Sequence, residues 1–234
     1  MSAQGERNRD MSTSFTGHAV RAALLFVAGA CALPAASAAT AAGEVVKVVG
    51  RASAATAEGE LRRLDQGQPI NSGDTVITAT SSFARIKLSD GGYIVLRPNT
   101  RFQIADYHYA EKPEESRSVF SLLKGGFRAV TGLIGQRNHS AVRYRTAVAT
   151  IGIRGTDLEV IDCTDGCPDL GTQVQQGLYF KVHQGSIDVN DTPFDQGKGG
   201  FARMGLDPVK LDFNDPANPL NSDPTPAADP EDCF

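Results

Sequence analysis

Phe83-Ala84-Arg85-Ile86-Lys87-Leu88-Ser89-Asp90-Gly91-Gly92-Tyr93-Ile94-Val95-Leu96 decides the fold class. From Phe83 to Leu88 apolar and polar residues alternate, the period of a strand with one face buried. Asp90-Gly91-Gly92 supplies the residues of a tight hairpin turn, and Tyr93 to Leu96 returns beside the first strand. The same signature recurs on both sides of this hairpin. Upstream lie the β-branched run Glu44 to Val49 closed by Gly50, then Arg51 to Thr56, Leu61 to Leu64, and Thr75 to Thr78 after the turn Asn71-Ser72-Gly73-Asp74. Downstream lie Arg101 to Ala105, Val119 to Leu123, Phe127 to Val130, Val142 to Thr146, Leu158 to Ile161, Leu178 to Val182 and Ile187 to Val189. No sustained 3.6-residue period competes with them. Closely spaced turn signals predict an all-β domain, a compact sandwich or barrel-like fold. A short β-solenoid is the alternative, although no strict internal repeat is present.

Composition narrows the classes further. The chain has 234 residues, 41% hydrophobic and 21% charged, with a formal net charge of −4. That is enough apolar material for a core and too acidic for a default nucleic-acid binder. No apolar run reaches the roughly 18 residues that a membrane helix needs. His18 and Arg21 precede the apolar stretch from Ala22 to Leu33, Pro34 breaks it, and Ala36-Ser37-Ala38 follows. This pattern predicts a signal peptide over residues 1–38, cleaved near Ala38, with Met1 or Met11 as its start and a periplasmic or secreted product. Ala28-Gly29-Ala30-Cys31 gives a weaker lipoprotein alternative, because position 28 lacks the large aliphatic residue of a lipobox. At the other end, Asp, Pro and Asn dominate residues 207–234, read as a flexible acidic tail that buries too little to order itself.

An exported chain keeps its cysteines in an oxidising compartment. Cys163, Cys167 and Cys233 then form one disulfide with one thiol left over: either Cys163 joins Cys167, or Cys233 pins the tail to that loop. C-x₃-C without a second pair is a poor metal site. Asp162, Asp165 and Asp169 around Gly166 match no calcium loop and read as turn residues. G-x-S-x-G, H-E-x-x-H, the P-loop and the dinucleotide fingerprint do not occur. His108, His139 and His183 are scattered. The chain is read as a non-enzymatic module that uses no cofactor and no metal.

Between Ser116 and Thr156 the charged residues are Arg117, Lys124, Arg128, Arg137, Arg143, Arg145 and Arg154, uninterrupted by any acid. Arginine suits bidentate contact with carboxylates, and Arg143 and Arg145 share a face if they lie in a strand. Arg128, Arg143, Arg145 and Arg154 are therefore the candidate partner-binding residues, for a cell-envelope protein such as a receptor or transporter component, or for an anionic envelope glycan or peptidoglycan. Two other readings stand beside this one. The arginines either spread over both faces and pair with acids such as Glu111, Glu114 and Glu115, or lie under the tail acids Asp207, Asp212, Asp215, Asp223, Asp229, Glu231 and Asp232. Nucleic acid is not expected. In Thr150-Ile151-Gly152-Ile153-Arg154-Gly155-Thr156-Asp157 two glycines within a β-branched run predict a strand that bends or meets another backbone closely. A lock between Arg154 and Asp157 or Asp90 is the structural reading of that arginine.

Five segments in order then carry a resemblance: Gly73-Asp74-Thr75-Val76-Ile77-Thr78, Ser82 to Gly91, Leu96-Arg97-Pro98-Asn99-Thr100, Leu123-Lys124-Gly125-Gly126, and Ile153-Arg154-Gly155-Thr156-Asp157. Together they make residues 43–190 similar to the FecR domain. The resemblance implies a periplasmic β-rich sensor that passes ferric-siderophore signals from an outer-membrane TonB-dependent transporter to a sigma factor. Best-known members place an anti-sigma helical domain and a transmembrane helix ahead of it, where a cleavable leader is expected in this chain. Gly73, Asp74, Asp90, Gly91, Arg154, Gly155, Thr156 and Asp157 are read as motif residues that serve the scaffold. The expectation is a signalling, sensing or scaffolding domain over residues 43–206.

Overall fold

The computed structural model describes residues 41–167, 170, 174–212, 214–215 and 218–221. The predicted leader, Cys31, Asp169, Cys233 and the tail acids Asp223, Asp229, Glu231 and Asp232 lie outside the described residues. In chain order the strands are β1 (Ala41–Val49), β2 (Ala52–Ala55), β3 (Leu61–Leu64), β4 (Pro69–Asn71), β5 (Thr75–Thr78), β6 (Phe83–Leu88), β7 (Tyr93–Leu96) and β8 (Arg101–His108). They continue with β9 (Arg117–Val130), β10 (Val142–Arg145), β11 (Thr150–Asp162), β12 (Leu178–Val189), β13 (Thr192–Asp195), β14 (Lys198–Ala202) and β15 (Val209–Asp212). One short helix, α1 (Leu133–Arg137), follows β9. Among the described residues no helix is long and apolar enough to cross a membrane.

All fifteen strands join one open, mixed sheet that folds into two layers. The first layer runs β4-β1-β6-β7, then the C-terminal parts of β9 and β11 and the N-terminal part of β12, then β14-β15. The second runs β3-β2-β5-β8, then the N-terminal part of β9, β10, the N-terminal part of β11 and the C-terminal part of β12, then β13. Strands β9, β11 and β12 belong to both layers. Each changes layer at a glycine with a positive φ: Gly125 (83°), Gly155 (63°) and Gly185 (75°). Side chains are costly in that conformation, so glycine is the residue that lets a strand kink without ending. The glycines that read as strand ends therefore lie inside strands, and the bend expected around Gly155 is present.

The layers close on one core. Phe102 of β8 meets Phe127 of β9 across the fold with ring centroids 5.0 Å apart, and Phe127 meets Tyr144 of β10 at 5.0 Å. Phe180 of β12 packs edge-on against Phe194 of β13 at 4.7 Å. Each such ring contributes about 1.5–3 kcal/mol by leaving water, and these pairings add about 0.5–1.5 kcal/mol. This is a sandwich with open edges, not a barrel. The β9–β10 pairing is parallel and the other described pairings are antiparallel, which excludes the solenoid alternative.

Ordered elements continue past residue 206, where the tail is expected to begin. Strand β15 pairs with β14, and the 3₁₀ turn Pro219–Asn221 packs on the outer side of the first layer. There Leu220 joins Ile161, Cys163, Tyr179 and Phe201 in a second, smaller core. A few apolar residues, placed on an existing sheet, are enough to hold the described part of the stretch read as a tail.

Candidate functional site

Three neighbouring strands build a polar trough on the outer face of the second layer. Val142, Tyr144, Ile151 and Ile153 take the core side, so the alternate residues of β10 and β11 face out. Register places Arg143 opposite Gly152 and Arg145 opposite Thr150, and it places Gly152 opposite Asp188 of β12. Directly opposed residues share a face, which gathers Arg143, Arg145, Arg154 and Asp188 on one surface. Gly152 leaves the floor clear: a Cβ there would come no nearer than 3.6 Å to the Arg143 guanidinium. His139 and Ser140 form one rim, and Asn190 and Asp191, both in the left-handed region at the β12–β13 turn, form the other. The trough holds about 800 Å³. Arg143 donates to the Val142 carbonyl at 2.8 Å, and Arg154 pairs with Asp188 at 3.2 Å.

Arg128 is not part of this surface. It projects from the first layer, where Nε donates to Asp157 Oδ1 at 2.9 Å and Nη2 to Oδ2 at 2.7 Å. Hydrogen bonding to Asp157 holds its pKa above the usual guanidinium value, against the opposing effect of burial. The arginine–aspartate lock is therefore Arg128–Asp157, not Arg154 with Asp157 or Asp90. The partners of the acid-free stretch come from elsewhere in the chain: Asp106 for Arg117, Asp157 for Arg128 and Asp188 for Arg154. Glu115 instead pairs with Lys112. Side-chain exposure is 21% and 16% in the Arg128 pair, against 62% and 32% in the Arg154 pair. Arg128→Ala is accordingly expected to destabilise the fold by about 1–2 kcal/mol, and Arg154→Ala by about 0.5 kcal/mol or less. Urea unfolding of the two variants checks the order.

The other motif residues serve the scaffold. Asp74 accepts from Arg62 Nη2 at 2.6 Å and from the Asn71 amide at 3.0 Å, behind the positive φ of Gly73. Asp90 accepts from the amides of Gly92 and Ile134, both at 3.1 Å, and so ties the hairpin turn at Gly91 to α1. Its own amide donates to the Tyr107 hydroxyl, whose pKa burial pushes up. Thr156 is buried and stitched through its backbone to the Thr131 hydroxyl.

A buried charge cluster escaped the sequence reading. Arg97 Nη1 donates to Glu159 Oε1 at 3.0 Å, and His183 Nε2 lies 3.1 Å from Glu159 Oε2. Lys181 neighbours them and donates to Asn221. Burial lowers the pKa of Arg97 and of Lys181, and Glu159 opposes both shifts. Period-2 logic points Glu159 and Lys181 outward, into water. The packed C-terminal turn covers that face, and no local signal in the strands announces the cover.

Beside this cluster lies a smaller cleft of about 380 Å³, lined by Leu123, Lys124, Ile161 and Cys167 among others. Cys163 and Cys167 form a disulfide at its wall, the local pairing of the two left open by the sequence. Asp162 Oδ1 accepts from the Thr164 amide, the role of a turn residue. Among the described residues no group of three His, Cys, Asp or Glu is placed to hold a metal ion. His108 lies on β8, His139 on the trough rim and His183 in the charge cluster.

Residues 74–188 match the family described as FecR protein, so the chain carries a FecR domain. The domain is of a signalling and sensing class, and the strand network extends beyond the match on both sides. Among solved structures, a cell surface anchoring domain aligns at 31% identity over 26% of this chain and 82% of its own length, with a TM-score of 0.26. Two crystal structures of a "putative anti-sigma factor" from Parabacteroides distasonis align at 12% identity over 59% of either chain, with TM-scores of 0.42 and 0.43. The chain thus spans under two thirds of that protein's length. No curated protein matches the sequence.

Proposed function

We propose that this chain is an exported, non-enzymatic signalling module that holds a partner protein of the cell envelope in the trough of its second layer. One observation carries the reading: Arg143, Arg145 and Arg154 share a single sheet face around the cleared floor at Gly152. Arginines so placed present forked donors to carboxylates of a partner surface. Asp188 and Asp191 line the same trough, which favours a protein of mixed charge over a uniformly anionic glycan. The leader-like pattern ending at Ala38 supports a periplasmic or secreted location, and the FecR domain supports a regulatory rather than enzymatic role.

A photoreactive residue in place of Thr150, in the full chain and in intact cells, tests the reading. The expected result is one dominant adduct, identified by mass spectrometry as an envelope protein. Arg143→Ala/Arg145→Ala/Arg154→Ala should cut its yield by about tenfold or more, as loss of interface arginines does. An unchanged yield overturns the proposal, as does retention of the chain on purified sacculi without any protein adduct.

A further inference from the structure

The trough leaves another surface unused. Strand β15 is the last strand of the first layer, paired with β14 on one side and with no strand on its other side among the described residues. An open edge presents unpaired backbone groups, and natural proteins blunt such edges with charge or proline when pairing is unwanted. The other edges are guarded: β13 and β4 hold Pro193 and Pro69, and β3 carries the like charges Arg62 and Arg63. Strand β15 reads Val209-Lys210-Leu211-Asp212, without proline and with one charge of each sign, which can pair rather than repel across a two-fold contact, and apolar side chains are exposed on and beside it: Met204 at 70%, Leu206 at 55% and Val209 at 55%.

We infer that β15 is a self-association edge that pairs antiparallel with β15 of a second copy of this chain, in the register that sets Leu211 opposite Leu211. The sequence of the strand selects that register. Opposed residues in an antiparallel pair share a face, so a two-fold axis at Leu211 brings Lys210 against Asp212 of the other copy, twice. On the opposite face Val209 and Leu211 of both copies form one apolar stripe. Two-fold axes at the neighbouring residues fail: at Lys210 they oppose lysine to lysine, and at Asp212 aspartate to aspartate. An axis between Lys210 and Leu211 opposes charge to apolar side chains. In the single chain Lys210 lies 5.6 Å from the Phe194 ring and Asp212 lies 4.0 Å from Lys198, contacts on the exposed edge that leave both side chains able to turn outward. A two-fold contact of this kind is the commonest closed assembly, because each edge satisfies the other and no third copy can add.

Sedimentation of the purified full chain over a concentration series tests the pairing, with circular dichroism confirming the β fold of every variant. The expected result is a reversible dimer. Lys210→Asp, which sets aspartate against aspartate, should weaken it by about tenfold or more. The exchange Lys210→Asp/Asp212→Lys should restore it, since the unlike pairs re-form with their order reversed. A chain that stays monomeric throughout overturns the inference. A dimer indifferent to Lys210→Asp, or one that the exchange fails to restore, overturns it equally. Trough binding is read by crosslinking from residue 150 and dimerisation by sedimentation, so either reading can fail alone.

Discussion

Glu159→Ala is expected to cost about 3–5 kcal/mol, because it breaks a buried ion pair by deleting the carboxylate that Arg97, His183 and Lys181 share. Arg97 and Glu159 retain only 3% and 6% of their side-chain exposure, so water cannot replace the lost partner. His183 and Lys181 lose the same carboxylate, one as a hydrogen-bond partner and the other as an opposing charge. For a domain of this size the thermal midpoint should fall by roughly 10 °C. Asp188→Ala, which breaks the exposed pair with Arg154, provides the comparison and should move stability by about 0.5 kcal/mol or less. Equal losses in the two variants, measured by calorimetry or urea titration, would show that the buried cluster is not holding charge against burial.

Gly185→Ala should be at least as damaging, and Gly155→Ala much less so. Both glycines have positive φ, which costs an alanine about 1–2 kcal/mol. At Gly155 a Cβ would meet nothing within 4 Å, so that strain is the whole penalty. At Gly185 it would overlap the Gly155 carbonyl oxygen and lie 2.9 Å from that of Arg154. Backbone on both sides leaves little room to yield, and the kinks of β11 and β12 would have to part. The total is expected above about 4 kcal/mol, in the range that abolishes folding of a marginal domain. Soluble yield and unfolding midpoints of the two variants test the contrast, and equal effects would refute the close approach.

Local alternation made most of the strands legible, because one buried face imprints a period of two. The halves of β9, β11 and β12 were each readable in that way. Their continuity was not, since a glycine that ends a strand and one that kinks it look alike without the neighbouring backbone. Only the pair Gly152 and Gly155, set inside one continuous β-branched run, marked a bend. The arginines were visible as a run, but a run has no faces. Register alone separates Arg143, Arg145 and Arg154 from Arg128, whose aspartate sits 29 residues further on. The charge cluster stayed hidden for a related reason: Arg97 and Glu159 are 62 residues apart and meet because β9 lies between β7, which Arg97 follows, and β11 in the first layer.

Strands that cross from one layer to the other have a mechanical consequence. A hinge needs a seam along which hydrogen-bonded ladders do not run, and the shared strands stitch through the place where such a seam would lie. Prising the halves apart would tear ladders rather than swing a joint, so the body transmits force as a unit. Whatever docks on one broad surface can be felt elsewhere only through the turns and free borders, the parts able to shift while the stitched centre stays rigid.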